Sequence, residues 1–224
     1  MSSIEKTSEL QDVKSFFDGY ATDFDSIYGH SNSRSILDKI SDKLFRQSMY
    51  LRYQECLKNT ARKNIETILD IGCGGGHYCD AFLNQGKRVT GLDIADGMLK
   101  IAKLKTSKYI QEGKANYILA DYLSHEFTSK FDAACLMGFF DYIREPELIF
   151  QKLKKDVSKE IYMSFPKKGG LLAWQRKIRY AKRNCPLYMT SKEELLGLLK
   201  KVDWQDKAEI IDLGRDFFVK IKLS

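Results

Sequence analysis

The stretch Ile68-Leu69-Asp70-Ile71-Gly72-Cys73-Gly74-Gly75-Gly76-His77-Tyr78 constrains this chain more than any other. Ile68, Leu69 and Ile71 suit a strand covered on both faces. The glycines that follow let the backbone turn tightly and approach a ligand closely. A helix after them aims unpaired N–H groups and a positive dipole end at whatever occupies the turn. Strand, glycine turn and helix together predict an adenosine-bearing ligand at the end of a parallel sheet.

The spacing narrows the choice. The dinucleotide fingerprint G-x-G-x-x-G, begun at Gly72, requires glycine at 77, where His77 stands. The glycines fall instead as G-x-G-x-G over Gly72, Gly74 and Gly76, with Asp70 two residues before the first. This pattern resembles motif I of class I S-adenosylmethionine-dependent methyltransferases. The resemblance implies a loop packed on the methionine part of the cofactor, with Asp70 near its amino group.

The rest of the chain extends the pattern. Strands are expected over Thr67–Ile71, Arg88–Asp93, Ala115–Ala120, Phe131–Met137 and Glu160–Ser164, alternating with helices near Gly76–Gln85 and Pro146–Lys155. Two final strands, near Ala208–Leu213 and Asp216–Ile221, flank Gly214-Arg215 as a closing hairpin. The expected fold is a doubly wound α/β sheet of seven strands, mostly parallel with an antiparallel C-terminal hairpin strand, Rossmann-like.

Asp93 ends the second strand, about 20 residues beyond Gly72, where dinucleotide folds place their ribose-binding acid. It is expected to accept from both ribose hydroxyls, with a helix N-cap as the competing role. The run G-L-D-I-A-D-G-M-L-K-I-A resembles the family's motif II, which implies that Ile94 packs on the adenine and Met98 lines the same pocket. The resemblance also implies Asp121 near the adenine exocyclic amine, since a carboxylate accepts from N–H₂. A plain turn residue is the alternative for Asp121. Tyr122 and Met137 are implied beside the cofactor.

Gly138-Phe139-Phe140-Asp141-Tyr142-Ile143 resembles motif IV of small-molecule enzymes. Asp141 and Tyr142 are the expected catalytic residues there, at the carboxyl edge of the sheet, although many relatives carry His-containing pairs. The N/D-P-P-Y/F tetrad of base-directed amino methyltransferases is absent. That argues against a nucleic-acid acceptor.

Residues 1–60 are expected to form an N-terminal helical lid over a methyltransferase domain at 61–224. The spacing of Val13, Phe16, Phe17, Tyr20 and Phe24 is helical and is similar to the start of ubiquinone and magnesium-protoporphyrin methyltransferases. Tyr20 and Tyr28 carry hydroxyls and are the lid residues expected to touch ligand. Ser48 interrupts a second helical stripe running from Ile36 to Leu51.

A basic helical insert is expected at about 167–185. Leu171, Trp174, Ile178 and Ala181 share its apolar face, and Arg176, Lys177, Arg179, Lys182 and Arg183 crowd the rest. A solvated face over the cleft, an anionic substrate and a lipid-linked substrate at a membrane surface all fit it. The net charge of +7 permits an anionic partner.

No apolar run is long enough to span a bilayer, and Met1–Lys6 lacks the apolar core of a signal peptide. The five cysteines, irregularly spaced, read as reduced structural thiols in a cytoplasmic protein, with Cys73 and Cys135 in apolar, strand-like contexts. His30, His77 and His125 are scattered, so no metal site is expected.

The expected function is methyl transfer from S-adenosylmethionine to a small molecule, at oxygen, leaving S-adenosylhomocysteine. An RNA or protein methyltransferase, a nicotinamide-dependent oxidoreductase and a non-catalytic cofactor-binding subunit are the rivals. Candidate bases are Asp141, Tyr142, His77, Tyr20, Tyr28 and His30.

Overall fold

The computed structural model describes residues 11–15, 17, 36–181 and 185–224. Tyr20, Tyr28 and His30, and with them most of the expected lid, lie outside the described residues. Helix α1 (Ile36–Thr60) leads into β1 (Thr67–Ile71), α2 (His77–Asn84), β2 (Arg88–Asp93), α3 (Asp96–Lys105), α4 (Ser107–Gln111) and β3 (Ala115–Leu119). Next come β4 (Phe131–Leu136), a 3₁₀ turn (Phe140–Tyr142), α5 (Pro146–Asp156), β5 (Val157–Pro166) and α6 (Gly170–Ala181). Helix α7 (Lys192–Lys201), β6 (Ala208–Asp212) and β7 (Asp216–Lys222) complete the fold.

The seven strands lie in the order β3-β2-β1-β4-β5-β7-β6. Strands β1 to β5 pair in parallel, and β7 runs antiparallel to both β5 and β6. The strand order reverses between β1 and β4, and ligands of open α/β sheets bind outside the carboxyl ends at such a point.

Two apolar layers cover the sheet. Leu69 and Ile71 face Phe150, Leu153, Leu195 and Trp204, on the side of α5 and α7. Ile68 faces Cys56, Cys79, Phe82 and Leu99, on the side of α1, α2 and α3. Side chains alternate along a strand, so Asp70 must enter the second layer.

Strand β5 begins at Val157, three residues earlier than expected, because α5 passes into it without a loop. Ser48 does not interrupt α1. It is 2% exposed, and its hydroxyl donates to Asp216 Oδ2 at 3.1 Å. With Arg52, Cys56 and Thr60, all buried, it forms an i, i+4 stripe that binds this end of α1 to the sheet. All five cysteines are free and buried; Cys135 lies in β4, but Cys73 lies in the glycine loop rather than a strand. Among the described residues, no helix is long and apolar enough to cross a membrane.

Candidate active site

The glycine loop closes on the end of β2. The amides of Gly72 and Cys73 both donate to the Leu92 carbonyl, at 2.8 and 3.2 Å. Gly72 and Gly76 have φ of +70° and +75°, a region that side chains disfavour. A Cβ at Gly72 would stand 2.9 Å from the Phe139 ring, and one at Gly76 would stand 2.8 Å from Ala102 Cβ. The turn therefore packs against both the β4 loop and α3, which no larger residue would permit.

Asp93 is the strut of the site. Its Oδ2 accepts from the Gly74 amide at 2.8 Å and its Oδ1 from the Ala95 amide at 2.9 Å. It is not the N-cap of α3; Ala95 holds that place. A carboxylate can accept about four hydrogen bonds, so holding the loop is compatible with accepting ribose hydroxyls. Met98 is buried beneath Gly74, with Cε 3.6 Å from where a Cβ would lie. Ile94 is half-buried beside Asp93, and Met137 is buried one residue past β4.

Asp70 is 1% exposed and accepts from the Cys79 thiol at 3.2 Å. Burial pushes its carboxyl up to about 7, the nearby Asp93 charge adds to this, and thiol donation from Cys79 and Cys135 opposes it. A buried acid held so high is suited to a nearby cation.

Two of the expected cofactor contacts take other roles. Tyr122 is 2% exposed and turns away from the cleft; its hydroxyl donates to Asp156 Oδ2 at 2.8 Å, at the end of α5. Its ring packs with the α5 layer, where the period of the preceding strand directs it. The Asp121 carboxylate closes a local turn, accepting from Ser124 N and Oγ, both at 3.1 Å.

The expected catalytic pair is likewise occupied. Asp141 is 4% exposed and bonded to Arg176 Nη2 at 2.5 Å. Burial raises its carboxyl, and Arg176 opposes that shift. A carboxylate committed to a guanidinium is a poor base. Tyr142 stands 3.5 Å from the Tyr180 hydroxyl, with its ring edge-on to Phe17, and burial pushes its hydroxyl well above its ordinary value, so it stays protonated at neutral pH. His77 is the first residue of α2 and is exposed, with its ring stacked on Tyr53 at 4.8 Å. Burial of part of the imidazole and the Lys105 charge lower its pKa.

The insert also departs from expectation. Trp174 and Ile178, placed on its apolar face, are 60% and 37% exposed. Helix α6 instead buries Ala173 and Arg176. Arg176 turns inward because one guanidinium there bonds Asp141 and also Asp216 Oδ1, at 2.8 Å. Lys167 pairs with Asp212 at 2.5 Å and Lys168 with Glu194 at 2.8 Å. Three of the basic residues, Lys167, Lys168 and Arg176, are thus paired with acids distant in sequence.

Arg52 is the site residue that motif reading missed. Its Nη1 donates to Ser164 Oγ at 3.2 Å and lies 3.8 Å from Asp216 Oδ2. Ser164 Oγ also accepts from the Gly138 amide at 2.8 Å, at the carboxyl edge of β4. Burial works against the Arg52 charge, but Tyr78, Asp216 and Asp141 together raise its pKa. The available signal was the i, i+4 run Ser48, Arg52, Cys56, Thr60. Among the described residues, no three His, Cys, Asp or Glu side chains are grouped as metal ligands.

Comparison with known proteins matches this geometry to a family. Residues 69–160, from β1 to the start of β5, match the family described as Methyltransferase domain. Over that stretch the chain is similar to methyltransferase domains. Over 94 residues it is 34% identical to the ubiquinone biosynthesis O-methyltransferase of Hydrogenovibrio crunogenus, across 41% of this chain and 38% of that protein. Over 138 residues it is 28% identical to the enzyme of the same name from Paracidovorax citrulli, across 60% of this chain and 52% of the relative. The matches therefore span well under two thirds of those curated relatives. The fold of the chain is similar to that of magnesium protoporphyrin IX methyltransferase from Synechocystis PCC 6803 with bound SAH. The TM-score is 0.68 over 96% of this chain and 100% of that one, at 16% identity. At that identity the likeness is one of fold.

Proposed function

We propose that this protein transfers a methyl group from S-adenosylmethionine to an oxygen of a small-molecule acceptor. The observation that carries the reading is the Asp93–Gly74 hydrogen bond at the β1/β4 switch point, inside the matched methyltransferase domain. Bound there, S-adenosylmethionine supplies a sulfonium methyl already activated for displacement. The residues around it fit the molecule. Asp93 accepts the ribose hydroxyls, Ile94 and Met98 form an apolar bed for the adenine, and the high-lying Asp70 carboxyl faces the ammonium. Asp121 keeps its backbone turn and offers its edge to the adenine amine.

The chain's own part in the reaction is positioning and exclusion of water. Phe139, whose ring packs against Gly72 of the glycine loop, is proposed as the floor on which the acceptor rests. Among the described residues, Asp141 and Tyr142 are poorly suited to take a proton. This favours an acceptor oxygen that is ionised on its own, so we propose an anionic acceptor. The N-terminal helical lid expected over residues 1–60, Tyr20 included, is our proposal for what covers the cleft. Five free thiols support a reducing, cytoplasmic setting.

Calorimetric titration with S-adenosylhomocysteine, S-adenosylmethionine and NAD tests the reading. Binding of the first two, abolished in Asp93→Ala, is expected. Binding of NAD alone would overturn it.

A further inference from the structure

Arg52 of α1 and Arg176 of α6 come from distant parts of the chain and meet at Asp216, the first residue of β7. They are 9% and 4% exposed. Arg52 uses Nη1, on Ser164 and near Asp216, and Arg176 uses both Nη atoms, on Asp216 and Asp141. The Nε–H groups are not used. Arg52 Nε and Arg176 Nε are both buried without a hydrogen-bond partner among the described residues. Buried donors are nearly always paired, and exceptions call for an explanation.

Position supplies one. The Arg52 guanidinium lies against Gly138, its Nη atoms 3.8 and 3.9 Å from where a Cβ would stand. Gly138 lies just past the carboxyl end of β4, next to Phe139, whose ring packs on Gly72 of the glycine loop. Buried guanidinium N–H groups are well suited to carboxylates and phosphates.

We infer that Arg52 and Arg176 form an oxyanion subsite whose two Nε–H donors hold a carboxylate or phosphate group of the acceptor substrate. This rests on the methyltransferase reading for the identity of the ligand as acceptor, but the subsite itself does not.

Nitrogen-15 spectroscopy of arginine-labelled full-length protein reads the two Nε–H groups directly. Their resonances are assigned by loss in Arg52→Lys and Arg176→Lys. The unmodified protein is titrated with sodium acetate, inorganic phosphate and neutral acetamide at constant ionic strength, with and without S-adenosylhomocysteine. A saturable shift of both resonances with acetate or phosphate, and none with acetamide, is expected. Which anion saturates first separates a carboxylate from a phosphate. Each lysine variant, read on the remaining arginine, should bind the anion at least about tenfold more weakly, with S-adenosylhomocysteine affinity held within about twofold, as for separate sites. No saturable shift with either anion, or an equal shift with acetamide, overturns the subsite. Failure of the unmodified protein to bind S-adenosylhomocysteine overturns the methyltransferase reading instead, and the titration without that ligand still decides the subsite.

Discussion

The Asp93 carboxylate accepts the Gly74 amide at 2.8 Å, joining the tip of β2 to the middle of the glycine loop. Its other oxygen takes the Ala95 amide at the start of α3. One side chain thus shapes the loop and, in the function proposed above, offers the acceptor edge for a ribose.

Replacing Asp93 with alanine removes both roles. S-adenosylhomocysteine affinity should fall by at least about 30-fold, and stability by roughly 1–3 kcal/mol, as two buried amides lose their acceptor. Asp93→Asn keeps one strong acceptor and should fall between. Calorimetry and urea unfolding check both arms.

Gly76→Ala should destabilise by about 2–4 kcal/mol, because it adds a methyl 2.8 Å from Ala102 Cβ at a φ of +75°. Gly86→Ala provides the contrast. Its φ is +80°, but nothing lies within 4 Å of the added Cβ, so only the conformational cost of about 1–2 kcal/mol applies. Urea midpoints that fall equally in the two variants would refute the packing explanation.

Asp70 makes stability pH-dependent. Its carboxyl is raised from the ordinary 3.8 to about 7 in the folded protein. Below pH 4 both folded and unfolded forms hold the proton and there is no penalty. As pH rises from about 4 to 7, the unfolded chain ionises first, and on the order of 4 kcal/mol of stability is lost. Asp70→Asn should flatten that decline and be the more stable protein at pH 8. Unfolding curves at pH 5 and pH 8 provide the measurement.

Arg176→Met leaves Asp141 and Asp216 buried with their main cation gone. A loss of roughly 3–5 kcal/mol is expected, as for a broken buried ion pair. Adding Asp141→Asn to that variant should recover part of the loss, by removing one of the stranded charges. A double-mutant cycle on unfolding free energies tests the coupling.

Tyr122→Phe removes the hydroxyl bonded to Asp156 and little else. Stability should fall by about 1 kcal/mol, while S-adenosylhomocysteine affinity stays unchanged. A loss of affinity would return Tyr122 to the cofactor pocket.

Much of the fold was legible along the chain. The β1-loop-α2 unit, the alternation through β5 and the closing hairpin follow from local period and turn chemistry. Asp93 was legible for the same reason: its distance from Gly72 is set by one βαβ unit. Tyr122 was misassigned because a motif names positions along the chain, whereas the side a residue faces depends on the phase of its strand.

By itself the sequence determined a parallel α/β sheet with a glycine turn and an acidic strand end at one edge, since those features depend on neighbours a few residues apart. Only the tertiary structure decided the fate of the charged residues. Arg52, Asp141, Arg176 and Asp216 are far apart in the chain, and nothing along it pairs them. Folding removes their water and leaves them one another, with Ser48 and Ser164, as partners. Whether a given charge becomes a base, a strut or a ligand-holding donor depends on that pairing, and long-range pairing leaves no local period to read.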